Sequence, residues 1–292
     1  MTAEIGLFGG SGLYDLPGLE DVREEHVDTP FGPPSDTVRI GVLAGRTIAF
    51  LARHGRHHGL LPGEVNYRAN LYAMKSLGVT RILSASAVGS MREDVHPRDV
   101  VLPDQFVDRT RQRPSTFFGG GVVAHVSLAD PVCPVVRERL LACTRAAGAT
   151  VHDGGTYLCM EGPAFSTRAE SRLYRSWGMD VIGMTPVQEA KLAREAEICY
   201  ATMALVTDYD CWHQDEEDVS VEALLEVLRA NADLAKRVLR DAVASMPTDR
   251  GACGCGDALK YAIITPREAI PSEVRTRLSA ILGRYLDDAG RG

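Results

Sequence analysis

The stretch Ile5-Gly6-Leu7-Phe8-Gly9-Gly10-Ser11-Gly12 decides the fold. Its first four residues read as a short buried strand, and a glycine loop follows at once. Outward from it, apolar runs at 38–43 and 47–52 flank Ala44-Gly45-Arg46 and read as a hairpin. Residues 66–77 carry helical periodicity and stop at Gly78, a helix-end signal. A strand over 81–87 leads into Val88-Gly89-Ser90, and another is expected over 99–107. Pro131 is expected to open a helix reaching about Ala147. Residues 150–160 are strand-like, with a break at Gly154-Gly155. Thr167-Arg168-Ala169-Glu170 is a capping box. A strand at 180–184, a helix from Pro186, a long strand at 198–207 and an amphipathic helix at 220–246 complete the pattern. Strands alternating with helices predict an α/β fold: a single domain with a central mixed, largely parallel sheet flanked by helices. Residues 1–246 are assigned to that domain. Residues 247–292 read as an appended tail or lid with a Cys-x-Cys and a last amphipathic helix through Val274, Leu278, Ile281, Leu282 and Tyr285.

Composition bounds the function. The chain has 292 residues, 45% hydrophobic and 24% charged, enough to bury a large core. The formal net charge is −7, which argues against a nucleic-acid partner. No apolar run is long enough to span a membrane, and the first residues lack a secretory pattern, so a cytoplasmic protein is expected. Seven scattered cysteines fit reduced thiols there. Glycine, at 28 residues, is the outlier, and the question is where the glycines sit.

Five stretches could carry chemistry. The loop at 9–12 lets backbone approach a ligand, and successive N–H groups there can face an anion; a plain tight turn is the alternative. It matches neither the P-loop nor the dinucleotide fingerprint. Arg53-His54-Gly55-Arg56-His57-His58 follows a strand, where ligands bind in open α/β sheets. Arg and His there suit an anion, with a solvated basic loop or a histidine metal site as rivals; the histidines lack a nearby carboxylate or Cys ligand. Ser84-Ala85-Ser86-Ala87-Val88-Gly89-Ser90 ends a strand in small residues, for exposed backbone donors or for close packing. Glu161-Gly162-Pro163-Ala164-Phe165-Ser166 reads as a loop before a capped helix. Asp208 and Asp210 end an apolar strand two apart, pointing the same way if the strand continues. A carboxylate at a buried strand end can act as a general acid. Asp215-Glu216-Glu217-Asp218 reads as a solvated turn. Anion candidates beside an acidic pair suggest phosphorolysis.

Taken in order, these motifs resemble the trimeric purine nucleoside phosphorylase superfamily, and most of all its members that act on 5′-methylthioadenosine. The residues carrying the likeness are 5–13, 52–58, Val65-Asn66-Tyr67-Arg68-Ala69-Asn70, 161–166, Gly183-Met184-Thr185 and 207–212. The likeness spans roughly 4–246, and the tail with Cys253 and Cys255 is similar to Cys-x-Cys tails of archaeal members. It implies phosphorolysis to adenine and 5-methylthioribose 1-phosphate, by a homotrimer or dimer of trimers, with phosphate as co-substrate and no cofactor or metal. An adenosine or 5′-halogeno-5′-deoxyadenosine preference is the alternative.

By motif position, Ser11, Arg53, His54, Ser86, Ala87 and Thr185 would hold phosphate. Met184 would pack under the ribose. Asp208, as general acid, together with Tyr209, Asp210 and Ser166, would address the purine. His58, Val221 and Leu225 would line the 5′ pocket, and His125 would serve a neighbour's site. Carboxylates at 208 and 210, where members preferring 6-oxopurines carry Asn, favour a 6-aminopurine. Pro186-Val187-Gln188-Glu189 departs from the family pattern, and Ser86 stands where many members have Thr. Cys253 and Cys255 could form a disulfide, a metal site or free thiols, and free thiols are favoured.

Overall fold

Every residue of the first strand is buried and Gly10 after it is buried too, so the strand end that leads into the glycine loop lies inside the molecule. The computed structural model describes residues 2–10, 12–213 and 221–286, and for 221–224 the backbone alone. The first half runs β1 (Ile5–Gly9), β2 (Glu20–Glu25), β3 (Val38–Leu43), β4 (Arg46–Ala52), α1 (Tyr67–Ser76), β5 (Arg81–Ser90), β6 (Val100–Leu102), β7 (Gln105–Arg109) and α2 (Pro134–Ala146). The second runs β8 (Val151–Asp153), β9 (Thr156–Met160), α3 (Arg168–Ser176), β10 (Val181–Gly183), α4 (Pro186–Glu195), β11 (Cys199–Asp208), α5 (Val221–Ser245), α6 (Ser272–Arg277) and α7 (Ser279–Leu286).

One mixed sheet holds all eleven of these strands. β1 pairs parallel with β4 and β5, and β5 pairs parallel with β11. The hairpin and the β5–β10 and β6–β11 pairs are antiparallel. The chain is therefore a single α/β domain with a mixed sheet flanked by helices. β5 organises the site. One of its edges is taken by β1 over 81–84 and then by β10 over 89–90. Residues 85–88 between them pair with neither, and the sheet opens there.

Three elements differ from expectation for local reasons. The strand expected over 99–107 is two, because Pro103 has no N–H to continue a ladder between β6 and β7. The helix expected from Pro131 starts at Pro134, because the Cys133 N–H donates to Tyr200 O at 2.8 Å instead of waiting for a helix. β2, Glu-Asp-Val-Arg-Glu-Glu, is an exposed strand at the end of the sheet that no apolar alternation announced.

The C-terminal segment is no loose tail. Leu259, Ile270, Val274, Leu278, Ile281, Leu282 and Tyr285 join Leu71, Met74 and Leu192 in one buried cluster. The last helix is broken at Leu278, which caps α6 before α7 begins.

Candidate active site

A cavity of about 390 Å³ opens at the C-terminal ends of β1, β4, β5 and β11, where open α/β sheets bind ligands. That size suits a small-molecule ligand. Gly10, Arg53, His54, His58, Ser86, Ala87, Gly89, Met184, Thr185, Asp208 and Asp210 all line it. Ser11 lies outside the described residues, as do residues 215–218 and the side chain of Val221.

The glycine loop works by close approach. A Cβ on Gly10 would stand 2.6 Å from Ala85 O and 3.1 Å from Arg53 Nη1. Only glycine lets β1 end against both groups. Arg53, 2% exposed, does not offer an open fork as the sequence suggested. Its Nε and Nη2 pair with the Glu189 carboxylate, Nη2 also donates to Ser84 Oγ at 2.6 Å, and Nη1 donates to Ala85 O at 3.1 Å. A guanidinium has five N–H donors, so one Nη1–H remains for a ligand. Burial opposes the charge on Arg53, but the adjacent Glu189 carboxylate outweighs it and raises the pKa. Tyr200 OH and Ser84 Oγ also donate to Glu189, at 2.7 and 3.0 Å, so every member of this buried cluster is bonded.

His54 is an acceptor rather than the cationic donor its position suggested. Burial first, and the Arg53 charge second, push its pKa down to about 4. Its Nδ1 faces Leu60 O at 2.8 Å. A carbonyl cannot donate, so Nδ1 carries the proton and Nε2 has the lone pair. Opposite, Thr185 is the N-cap of α4, with Pro186 at the first helical position. Its side chain makes no capping bond, so Oγ1 and the positive helix end stay available to an anion. Ser86 Oγ lies 3.5 Å from Thr185 Oγ1 and 3.1 Å from Tyr157 OH.

The acidic end forms where β11 stops. Register against β5 shifts between Val206 and Asp208, a bulge of the kind that re-aims side chains beside active sites. The strand does not continue to Asp210, so the expected same-face spacing fails. Both carboxylates still line the cavity, because Asp210 sits in the turn that follows. Gly89 makes room for them: a Cβ there would be 3.1 Å from Asp208 Oδ1 and 3.4 Å from Asp210 Cβ. Thr207 Oγ1 stands 3.1 Å from Val88 O and 2.6 Å from Asp208 Oδ2.

Four expected residues fall outside the cavity. Tyr209 stacks on the His213 ring at 4.6 Å, with Trp212 against its edge. Ser166 sits behind the wall, its Oγ 3.7 Å from Met160 Sδ. Leu225 is 43% exposed; Leu228, one turn along the same apolar stripe, lines the cavity in its place. His125 lies on a separate apolar cleft with Val123, Phe118 and Val126. The three neighbouring histidines do not assemble as a metal set among the described residues.

Sequence reasoning missed Glu189, Thr207 and Arg113. Arg113 is buried and donates to Glu161 Oε1 at 3.0 Å, to Tyr67 OH and Gln188 Oε1 at 3.2 Å, and to the Met184 and Glu161 carbonyls. It ties the 161–166 loop to the Met184 wall. Nothing local in Gln112-Arg113-Pro114 marks that role. Glu189 did leave a signal, standing in the first turn of a helix that opens beside the site.

The fold and a cavity with a basic, hydroxyl-lined end and an acidic end define a nucleoside phosphorylase-like protein. The chain belongs to the phosphorylase superfamily, which residues 4–244 match. It is 60% identical over 287 residues to S-methyl-5′-thioadenosine phosphorylase of Geobacter sulfurreducens, covering 98% of this chain and all of that one. A methylthioadenosine phosphorylase from an antarctic soil metagenomic library is 51% identical with a TM-score of 0.92, covering 96% of this chain and 99% of that one. A variant of the Schistosoma mansoni adenosine/methylthioadenosine phosphorylase, solved with methylthioadenosine, is 37% identical with a TM-score of 0.80, covering 85% and 93%.

Proposed function

We propose that this chain splits S-methyl-5′-thioadenosine with phosphate, giving adenine and 5-methylthioribose 1-phosphate. The observation that carries the reading is the polarity of one cavity: Arg53, Ser86 and Thr185 at the α4 terminus, and Asp208 with Asp210 on the same lining. Relatives at 50–60% identity bearing that name support it. A phosphate oxygen forms the new bond to C1′ as the C1′–N9 bond breaks. The sugar passes through oxocarbenium character while the purine gains negative charge. Phosphate needs little activation, so positioning and charge stabilisation dominate. The spare Arg53 Nη1–H, the two hydroxyls and the α4 terminus hold the anion, and its charge steadies the sugar cation. A neutral His54 takes a proton-bearing oxygen of phosphate or ribose at Nε2.

Asp208 supplies the proton to purine N7. The single Thr207 hydroxyl proton faces two acceptors, Val88 O and Asp208 Oδ2. A protonated Asp208 removes that conflict: Thr207 donates to Val88 O, and the carboxyl proton goes to N7. Once N7 takes the proton, Thr207 donates to the carboxylate left behind. Asp210 accepts from the 6-amino group. Met184 packs under the ribose, and Leu61, Pro62, Phe165 and Leu228 offer apolar surface to the methylthio group. Each such contact discriminates by only ~1–3 kcal/mol.

Phosphate is the one co-substrate in this reading. The assembly is a homotrimer or dimer of trimers, in which His125 reaches a neighbour's site. The compartment is the cytoplasm, where the reaction serves methionine and purine salvage. No described helix is long and apolar enough to cross a membrane.

The test is release of the free base, adenine from methylthioadenosine, adenosine and a 5′-halogenated analogue and hypoxanthine from inosine, each with and without phosphate. We expect phosphate-dependent release with the highest kcat/KM for methylthioadenosine. Release independent of phosphate sinks phosphorolysis, and a preference for inosine sinks the reading of Asp208 and Asp210.

A further inference from the structure

Four cysteines that take no part in the cavity converge at the opposite end of β11, where Cys199 begins it. Their sulfurs, on Cys133, Cys199, Cys253 and Cys255, all lie within 4.8 Å of one another. All are free thiols, and the Cys199–Cys253 sulfur separation is 3.4 Å. A disulfide needs about 2.05 Å. Tetrahedral zinc with Zn–S bonds of about 2.3 Å holds its sulfurs about 3.8 Å apart. We propose that these four cysteines bind a single zinc ion as a closed structural site.

The backbone presents the ligands from three separate segments. Cys133 is the N-cap of α2, its N–H held by Tyr200 O at 2.8 Å. Cys199 opens β11, its N–H held by Thr80 O at 2.9 Å. Cys253 and Cys255 bracket the start of a 3-10 turn at Gly254–Asp257, two residues apart, and chelate from one loop. Three of the thiols are buried and Cys253 is half-buried, so no open coordination position faces solvent. An all-thiolate donor set selects zinc over hard cations.

Zinc with four thiolates carries two negative charges, and a cation is in place to offset one of them. Arg250 Nη2 donates to Cys199 Sγ at 3.4 Å and to Glu197 O at 2.6 Å. A Cβ on Gly256 would stand 2.9 Å from Arg250 Nη1, so the guanidinium lies directly under the Cys-x-Cys loop. Arg250 Nε is buried with no hydrogen-bond partner among the described residues, a donor that a thiolate shell can satisfy. Metal binding sends the thiol protons to solvent and changes no oxidation state. The ion would clamp the C-terminal segment to α2 and β11. From sequence, free thiols are favoured at Cys253 and Cys255 with a metal site among the alternatives, and Cys133 and Cys199 cannot be seen beside them.

The experiment is elemental analysis and native mass spectrometry of the untagged full-length chain, with zinc followed during thiol titration by a mercurial. About one zinc per chain is expected, released as the thiols are titrated. Cys253→Ser, at the half-buried ligand, should lose most of it, and the distant exposed Cys211→Ser should keep it. Adding a strong zinc chelator should lower the Tm of the wild type. Zinc far below one equivalent in the wild type overturns the proposal, whatever the variants do. So does an intact non-reduced mass lighter by two hydrogens per cysteine pair, which would show disulfides instead.

Discussion

Asp208 owes its place to a missing side chain across the sheet, since Gly89 leaves the volume that its carboxylate fills. Its proposed work is proton donation to the leaving base, which a carboxamide or methyl cannot do. Asp208→Ala should therefore lower kcat on the order of 10²–10⁴-fold. The KM for phosphate should change little, because Arg53, Ser86 and Thr185 remain. Steady-state kinetics with phosphate varied at saturating nucleoside checks this; equal losses in both parameters would point to a structural role. The lining residues of this end were legible because each sits at a strand end beside small residues. Their partners were not. Glu189 and Thr207 matter through what they touch across the fold, at Arg53 and at Val88 O, and sequence spacing carries no such apposition. Tyr209 and Leu225 show the converse error. Each shares a motif with lining residues, but Tyr209 stacks on His213 in the turn after β11 and Leu225 faces solvent on α5.

Among elements, α4 links the site to the surface. Its start brings Thr185 to the cavity and Glu189 to Arg53 behind it, and its last residue, Glu195, plugs the 115–118 loop. Glu195 accepts from Phe117 N–H at 2.7 Å and Thr116 Oγ1 at 2.8 Å. Burial pushes its pKa up to about 7, and those two bonds resist the rise. A carboxyl with a raised folded pKa binds its proton more tightly folded than unfolded. Its stabilising contribution is full below pH 4.5 and is lost as pH rises through about 7. Glu195→Gln stays neutral throughout. We expect the stability of the wild type to fall relative to Glu195→Gln between pH 5 and 8, by on the order of a few kcal/mol, seen as a Tm that drops relative to the variant's. Parallel Tm curves for the two proteins would show that Glu195 does not titrate there. Helix starts of this type were readable, since Pro186 and the Thr167 capping box are local signals. Pro131 misled because a second proline follows at 134, and the choice between them is made by the Cys133 bond to β11.

At the scale of the whole molecule, the segment after Met246 changes the picture most. It read as an appendage because residues 247–257 are poor in apolar side chains. Its later apolar residues nevertheless complete the buried cluster under α1 and α4. It also shapes a surface. Ile263 bridges to Ala124, and His125 N–H donates to Ala262 O at 2.9 Å. That contact fixes His125 on a face with exposed Val123, Tyr261 and Ile264, outside its own chain's cavity. Clustered exposed apolar side chains of this kind mark association surfaces. If the assembly is a cyclic trimer with head-to-tail contacts, each site takes Asp208 from one chain and His125 from the next. His125→Ala alone should then lower activity, and so should Asp208→Ala. Co-expressed in equal amounts and mixed at random, the two chains should restore about one quarter of the wild-type sites, the fraction in which both neighbours are intact. Measuring kcat of the separated mixed oligomers checks this. Activity equal to the mean of the two inactive parents would confine His125 to its own subunit and remove the reason for proposing a shared site.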